Sequence, residues 1–407
     1  MNCVKRIFAR NLLAVTIYTS VVHMLAVYLN LTVLDSPLAA QTLFKAGKVI
    51  TMAGDPLSPG MVLVNEGKIV SVGSALDQGN ARLVDLGDAA VLMPGLVNAY
   101  SQAGLSGAVR DEVTKEVTAT YKVDLGIDWN SQSMKRALTN GITTACLTPG
   151  TENVFAGIAS TVKTAKSNAA VLQNDGALVA NLNTDPTRRN QARQRPDSIY
   201  LRIPTNRMGV VWVMRSSFDM AQRNEHDESL APLRQVIAGE RPFFIVSRTF
   251  ADIETMYTLA EEFGFKSILV GGQESNLVLS KIAELKTDVI LTPVPTGVTS
   301  GEERTEICLN RAGKLAEHGI RFCLSGDDLL AEARFAYRHG LNSQQALAAV
   351  TLAPAQILAI QERVGSIEPG KDADFIVLNG EPLELTSRVM KVIVDGELVF
   401  DVDGASR

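Results

Sequence analysis

The run Val91-Leu92-Met93-Pro94-Gly95-Leu96-Val97-Asn98-Ala99-Tyr100-Ser101-Gln102 decides how this chain is read. It is an apolar strand sequence that ends on a phenol and a carboxamide two positions apart. Downstream, to about residue 358, short apolar runs alternate with stretches whose apolar residues fall at helical spacing, which predicts parallel strands joined by crossover helices. Residues 141–148, 241–247, 267–271, 288–292 and 321–325 read as strands; residues 251–263, 276–285 and 344–360 read as helices. Near the end, Val392-Ile393-Val394 and Glu397-Leu398-Val399-Phe400 flank Asp395-Gly396, a hairpin signal because the two-residue turn demands positive φ. No 20- to 50-residue repeat marks a solenoid or propeller.

The opening run resembles the segment of the amidohydrolase superfamily written MPGLIDAHTH, in which a strand carries two histidines that bind the catalytic metal. Residues 43–52 and 61–73 resemble the start of that superfamily's small β-sandwich, and Val364-Gly365-Ser366-Ile367-Glu368-Pro369-Gly370-Lys371-Asp372-Ala373-Asp374-Phe375-Ile376-Val377-Leu378 is similar to its closing signature. Within the body, residues 204–211 and 268–272 look most like an extracytoplasmic, imidazolonepropionase-like branch. The resemblance implies an α/β fold: a (β/α)8 TIM barrel over residues 94–359, with a split β-sandwich from residues 41–93 and 360–407. It also implies zinc. Here Tyr100 and Gln102 stand where the histidines belong. Imidazole offers a neutral nitrogen lone pair at neutral pH, whereas a phenol with a pKa near 10 and a carboxamide are poor substitutes. No metal site and no cofactor are therefore expected.

Length and composition fit one large core with a satellite domain: 407 residues, 46% hydrophobic and 20% charged. The formal charge is −5, which gives no electrostatic footprint for nucleic acid. Residues 1–40 place Lys5, Arg6 and Arg10 ahead of a mostly apolar run, residues 12–34, followed by Ser36-Pro37-Leu38-Ala39-Ala40. That pattern reads as a signal peptide or, since the run is long enough to span a bilayer, an N-terminal anchor in the inner membrane. The implied location is periplasmic or otherwise extracytoplasmic. Past the leader only Cys146, Cys308 and Cys323 remain, an odd number without CxxC spacing, which argues against a disulfide framework and a thiolate zinc site.

In such a barrel, chemistry belongs at the C-terminal ends of the strands. Asp327, in Leu324-Ser325-Gly326-Asp327-Asp328, matches the superfamily's aspartate that activates metal-bound water. Two readings stand: a general base with its pKa raised in an enclosed mouth, or a strand-end carboxylate bonded to backbone amides. Lys163 follows Pro149-Gly150-Thr151-Glu152-Asn153, which resembles the family's PGSxN segment; it is expected either in the mouth or on a solvated helix. Arg248, after the strand Phe244-Ile245-Val246-Ser247, would grip an anionic ligand or form a rim ion pair. The remaining histidines offer no repair. His226 sits in a polar cluster, and His318 and His339 occupy helix-ending positions. No GxSxG elbow, P-loop or dinucleotide fingerprint appears.

Three functions follow from this reading. One is a degenerate amidohydrolase, without the usual metal centre, that binds a small-molecule ligand or partners an intact amidohydrolase in a homo- or hetero-oligomer. Another is a divergent hydrolase of carbon–nitrogen bonds using Asp327 with Tyr100 or Lys163. The third is a structural envelope protein, touching the membrane only through its leader.

Overall fold

A computed structural model describes residues 41–106, 110–112, 114–165, 171–188, 203–294 and 307–404; the leader lies outside the described residues. Both ends of the described part of the chain form β structure. One sheet holds β1 (Thr42–Ala46), β3 (Gly60–Asn65), β4 (Lys68–Gly73) and β5 (Arg82–Asp85) in the order β4-β3-β1-β5. The other holds β2 (Lys48–Val49), β6 (Val91–Pro94), β17 (Phe375–Leu378), β18 (Val389–Val394) and β19 (Glu397–Asp401) in the order β19-β18-β17-β6-β2. Phe44, Val62, Val64, Leu92, Phe375 and Ile393 share one buried apolar cluster drawn from both sheets. The β18–β19 turn is made by Asp395 and Gly396, at φ +51° and +77°.

The body is built on β7 (Leu96–Ser101), β8 (Ile142–Leu147), β9 (Phe155–Ile158), β10 (Ser160–Lys163), β11 (Val171–Gln173), β12 (Leu178–Asn181), β13 (Phe243–Ser247), β14 (Ile268–Gly271), β15 (Val289–Leu291) and β16 (Phe322–Leu324). Strands β12 to β16 run parallel in one sheet, and β7 runs parallel to β8 in another. The expected (β/α)8 barrel is departed from in three ways. Seven parallel strands, not eight, occur among the described residues. Between β8 and β12 the chain inserts the segment β9–β10, whose first half pairs antiparallel with β12 and second half antiparallel with β8. In addition, no described backbone ladder joins β16 to β7. The link there is Ser325 Oγ donating to the Tyr100 carbonyl (2.6 Å) and Asn98 Nδ2 donating to the Gly326 carbonyl (2.8 Å).

Alternate residues of these strands, including Val97, Cys146, Val179, Phe244, Val246, Val270, Ile290 and Cys323, form an inner apolar cluster with Ala355, Ile357 and Leu358. Cys146 and Cys323 are free, buried thiols. Helices cover the opposite faces through a larger cluster. The helix Arg207–Arg223 is anchored by Phe218, whose ring meets Phe155, Phe243, Phe263 and Phe265 at 5.0–5.9 Å between centroids. The helix expected over residues 344–360 is two: Ser343–Ala348 and Leu352–Ile357. Pro354 has no N–H to return to the Val350 carbonyl, and that carbonyl accepts from Val97 N (2.9 Å) instead. The break thus pins β7 from below.

Candidate functional site

Strand β7 reaches its end through two irregularities of register with β8, between Leu96 and Val97 and between Asn98 and Ser101. These let Tyr100 pack against the inner cluster, although an even alternation from Val97 would turn it outward. Its hydroxyl is sealed from solvent beside Thr148, and burial pushes the phenol pKa up to about 12. Arg248, Asp185 and Asp111 are the charges that act on it. A phenolate ligand or base would require removing that proton inside an apolar wall.

Arg248 follows β13 and precedes the helix Phe250–Phe263, whose capping box of Thr249 and Asp252 fixes the turn; Arg248 N donates to Asp252 Oδ2 (3.2 Å). The guanidinium fork lies on Asp185, with Nη1 to Oδ1 at 3.0 Å and Nη2 to Oδ2 at 2.5 Å. Of its two expected roles, the rim ion pair is the one formed, since the fork is already engaged by a carboxylate. Asp185 is held in turn by its own N–H donating to Asn183 Oδ1 (2.8 Å) and by Arg188 at 3.1 Å. Three buried hydrogen-bonding atoms at the ends of β12 and β13, Asn181 Oδ1, Asn183 Nδ2 and Ser247 Oγ, have no partner among the described residues. Asp185 and the two asparagines were missed by sequence reasoning. The polar alternation Asn181-Leu182-Asn183-Thr184-Asp185 at a strand end was the available signal.

Gln102 and Asp327 meet in a different place. Both line a cavity of about 280 Å³ between the end of β7 and the helix Gln132–Thr139. The Gln102 amide is committed at both ends: Oε1 accepts from Arg110 Nη1 (2.8 Å) and Nε2 donates to the Pro149 carbonyl (3.4 Å). Asp327 is exposed, so it is not walled into the mouth as the general-base reading requires. Neither does a backbone amide hold its carboxylate; the hydrogen bond at this residue runs from Asn140 Nδ2 to its carbonyl (2.9 Å).

Lys163 corrects the expectation most sharply. It is neither in the mouth nor on a helix but at the end of β10, opposite Thr144, toward the start of β8. Its side chain has no solvent exposure and lies among Asp372 (2.8 Å), Asp374 (3.2 Å) and Asp395. The antiparallel return of β10 carries it to the end of the strands opposite the mouth. His318 and His339 cap helices, each with Nδ1 on a carbonyl four residues earlier (2.9 and 2.8 Å), and His226 is exposed.

Among the described residues no three His, Cys, Asp or Glu side chains come together in a way that could hold a metal ion. The donor set at the strand ends does not fit zinc: a protonated phenol, an amide already bonded on both sides, and a guanidinium cation.

Residues 251–399 match the sequence profile of the amidohydrolase family. A segment is 37% identical over 78 residues, 19% of this chain, to amidohydrolase tasK of Hapsidospora irregularis, and another comparison gives 38% over 66 residues, 16% of this chain, with N-acetylglucosamine-6-phosphate deacetylase of Bos taurus. The matches span only 8% and 15% of those two proteins' lengths. Among solved structures, an amidohydrolase from Thermotoga maritima superposes with a TM-score of 0.81 at 28% identity, over 88% of this chain and 100% of that one. A prolidase complexed with n-methylphosphonate-l-proline superposes at 0.58 with 16% identity, over 89% and 100%, a likeness of fold alone.

Proposed function

We propose that this chain, which belongs to the amidohydrolase superfamily, is a metal-independent member that binds a small polar molecule at the strand-end mouth. In this reading the seven parallel strands with β9–β10 are a distorted (β/α)8 barrel, and the terminal sheets are its composite sandwich. The observation that supports the proposal is the Arg248–Asp185 pair beside the sealed Tyr100 hydroxyl, which in this reading stands in for a metal centre. The unpartnered Asn181 Oδ1, Asn183 Nδ2 and Ser247 Oγ offer an acceptor, a donor and a hydroxyl, which suits an uncharged amide-bearing ligand. Residues 1–40, as a leader, would deliver such a protein outside the cytoplasm, alone or beside an intact amidohydrolase.

A second reading has its own support: the relatives matched are named as an amidohydrolase and a deacetylase, so hydrolysis of a carbon–nitrogen bond is retained as the alternative. The proposed machinery for it does not assemble, because Lys163 lies at the far end and Tyr100 is protonated and sealed. One purification separates the two. Protein prepared without a chelating tag is expected to hold well under one zinc per chain, and to leave N-acyl amino acids, dipeptides and cyclic amides intact while its thermal melting rises with one of them. Stoichiometric, chelator-resistant zinc with turnover of any of these compounds would overturn the binding-protein reading.

A further inference from the structure

The cavity beside the helix Gln132–Thr139 carries charges that the mouth reading leaves unused. Arg110 spends Nη1 on Gln102, and its Nε is buried without a partner. Among the described residues Arg136, on the helix, pairs with no carboxylate and Asp327 pairs with no cation. All three line the same space of about 280 Å³. Two guanidiniums and a carboxylate that share a cavity without closing on one another leave room for something between them. Leu105, Ala137 and Ile142 supply an apolar wall to the same space.

We propose that this cavity is a binding site for a free α-amino acid with an aliphatic side chain. The ligand's carboxylate lies on Arg110 and Arg136, its ammonium on Asp327, and its alkyl group on the wall of Leu105, Ala137 and Ile142. A monovalent anion would leave Asp327 facing like charge, and a simple amine would leave both guanidiniums unanswered; a zwitterion answers all three. The Asn140 bond to the Asp327 carbonyl holds the acidic corner in place before the ligand arrives. This site is on the outer side of β7 and does not depend on whether the mouth holds a metal.

Calorimetric titration with L-leucine, N-acetyl-L-leucine and L-leucinamide tests it. Wild-type protein is expected to bind L-leucine at least tenfold more tightly than either derivative, because each lacks one of the two charges. Asp327→Asn should weaken L-leucine about tenfold and erase its advantage over N-acetyl-L-leucine. Arg136→Gln should weaken both carboxylate-bearing compounds and leave L-leucinamide unchanged. Both replaced side chains are exposed, so melting of the variants should match wild type. Equal affinity for L-leucine and N-acetyl-L-leucine would overturn the proposal, as would an absence of binding by wild type to every one of the twenty L-amino acids at millimolar concentration. Both results come from wild type and need no variant.

Discussion

The two ends of the parallel strands each hold a cation paired with carboxylates, and they hold it differently. At the mouth, Arg248 is 27% exposed and lies on Asp185, a carboxylate that a second arginine also reaches. At the opposite end, Lys163 has no exposure and is surrounded by three carboxylates, of which Asp372 and Asp374 are themselves almost fully buried. Lys68 and Arg363 close the outer side of that cluster on Asp372, at 2.5 and 2.8 Å. A half-wet pair can exchange its partner for water or for a ligand. A sealed cluster cannot, and its energy goes into holding β10 against the C-terminal strands. Residue type alone does not separate the two cases.

The largest effect expected from this contrast is at the closed end. Lys163→Met should cost roughly 3–5 kcal/mol, since it leaves buried carboxylates without their shared cation, and that is a large share of the ~5–15 kcal/mol that holds a typical domain folded. Urea unfolding measures it, and a midpoint equal to wild type would break the comparison.

Next comes a pH effect at the same cluster. Burial pushes Asp374 up to about 6, against the opposing pull of Lys163. A carboxyl with a folded pKa above its unfolded value of about 3.9 binds more protons when folded, so the stability it contributes is present below that value and lost as pH rises through about 6. The loss is on the order of 2–3 kcal/mol. Asp374→Asn, which still accepts the Asp395 N–H on Oδ1, should flatten the fall in urea midpoint between pH 4 and 6.5. An unchanged profile would place that proton elsewhere. Asp372 is shifted the other way, downward, through its bonds to Lys163 and Lys68, so it produces no fall in this window.

The smallest effect is at the mouth. Arg248→Gln should cost about 1 kcal/mol, because water reaches the guanidinium and Arg188 remains on Asp185. A cost matching that of Lys163→Met would show the mouth to be as closed as the far end.

Much of the strand pattern was legible because each strand is a short apolar run bounded by turn residues: residues 141–148 and 321–325 contain β8 and β16, and Asp395-Gly396 makes the expected turn. Lys163 was not. Its segment alternates Phe155, Gly157, Thr161 and Lys163 as strand, but the sequence gives no sign that the strand runs backwards or that the partners lie more than 200 residues away. Tyr100 and Asp327 lie near the ends of β7 and β16, yet register shifts accompany Tyr100 packing inward and Asp327 lines the cavity on the outer face of β7. Side-chain direction beyond a bulge is set by backbone geometry that no local pattern encodes.

The spacing within the lysine cluster also fixes an order of events. Lys163 and Asp374 are 211 residues apart, and Lys163 and Asp395 are 232 apart. At roughly 5–20 residues per second, a ribosome delivers the first carboxylate about ten to forty seconds after the lysine. Until then, burying β10 would strand a cation in an apolar wall, so the strand must wait in water. The centre of the molecule is thus completed by the end of the chain, and a nascent protein halted short of Asp372 is left with the Lys163 ammonium lacking all three of its carboxylates.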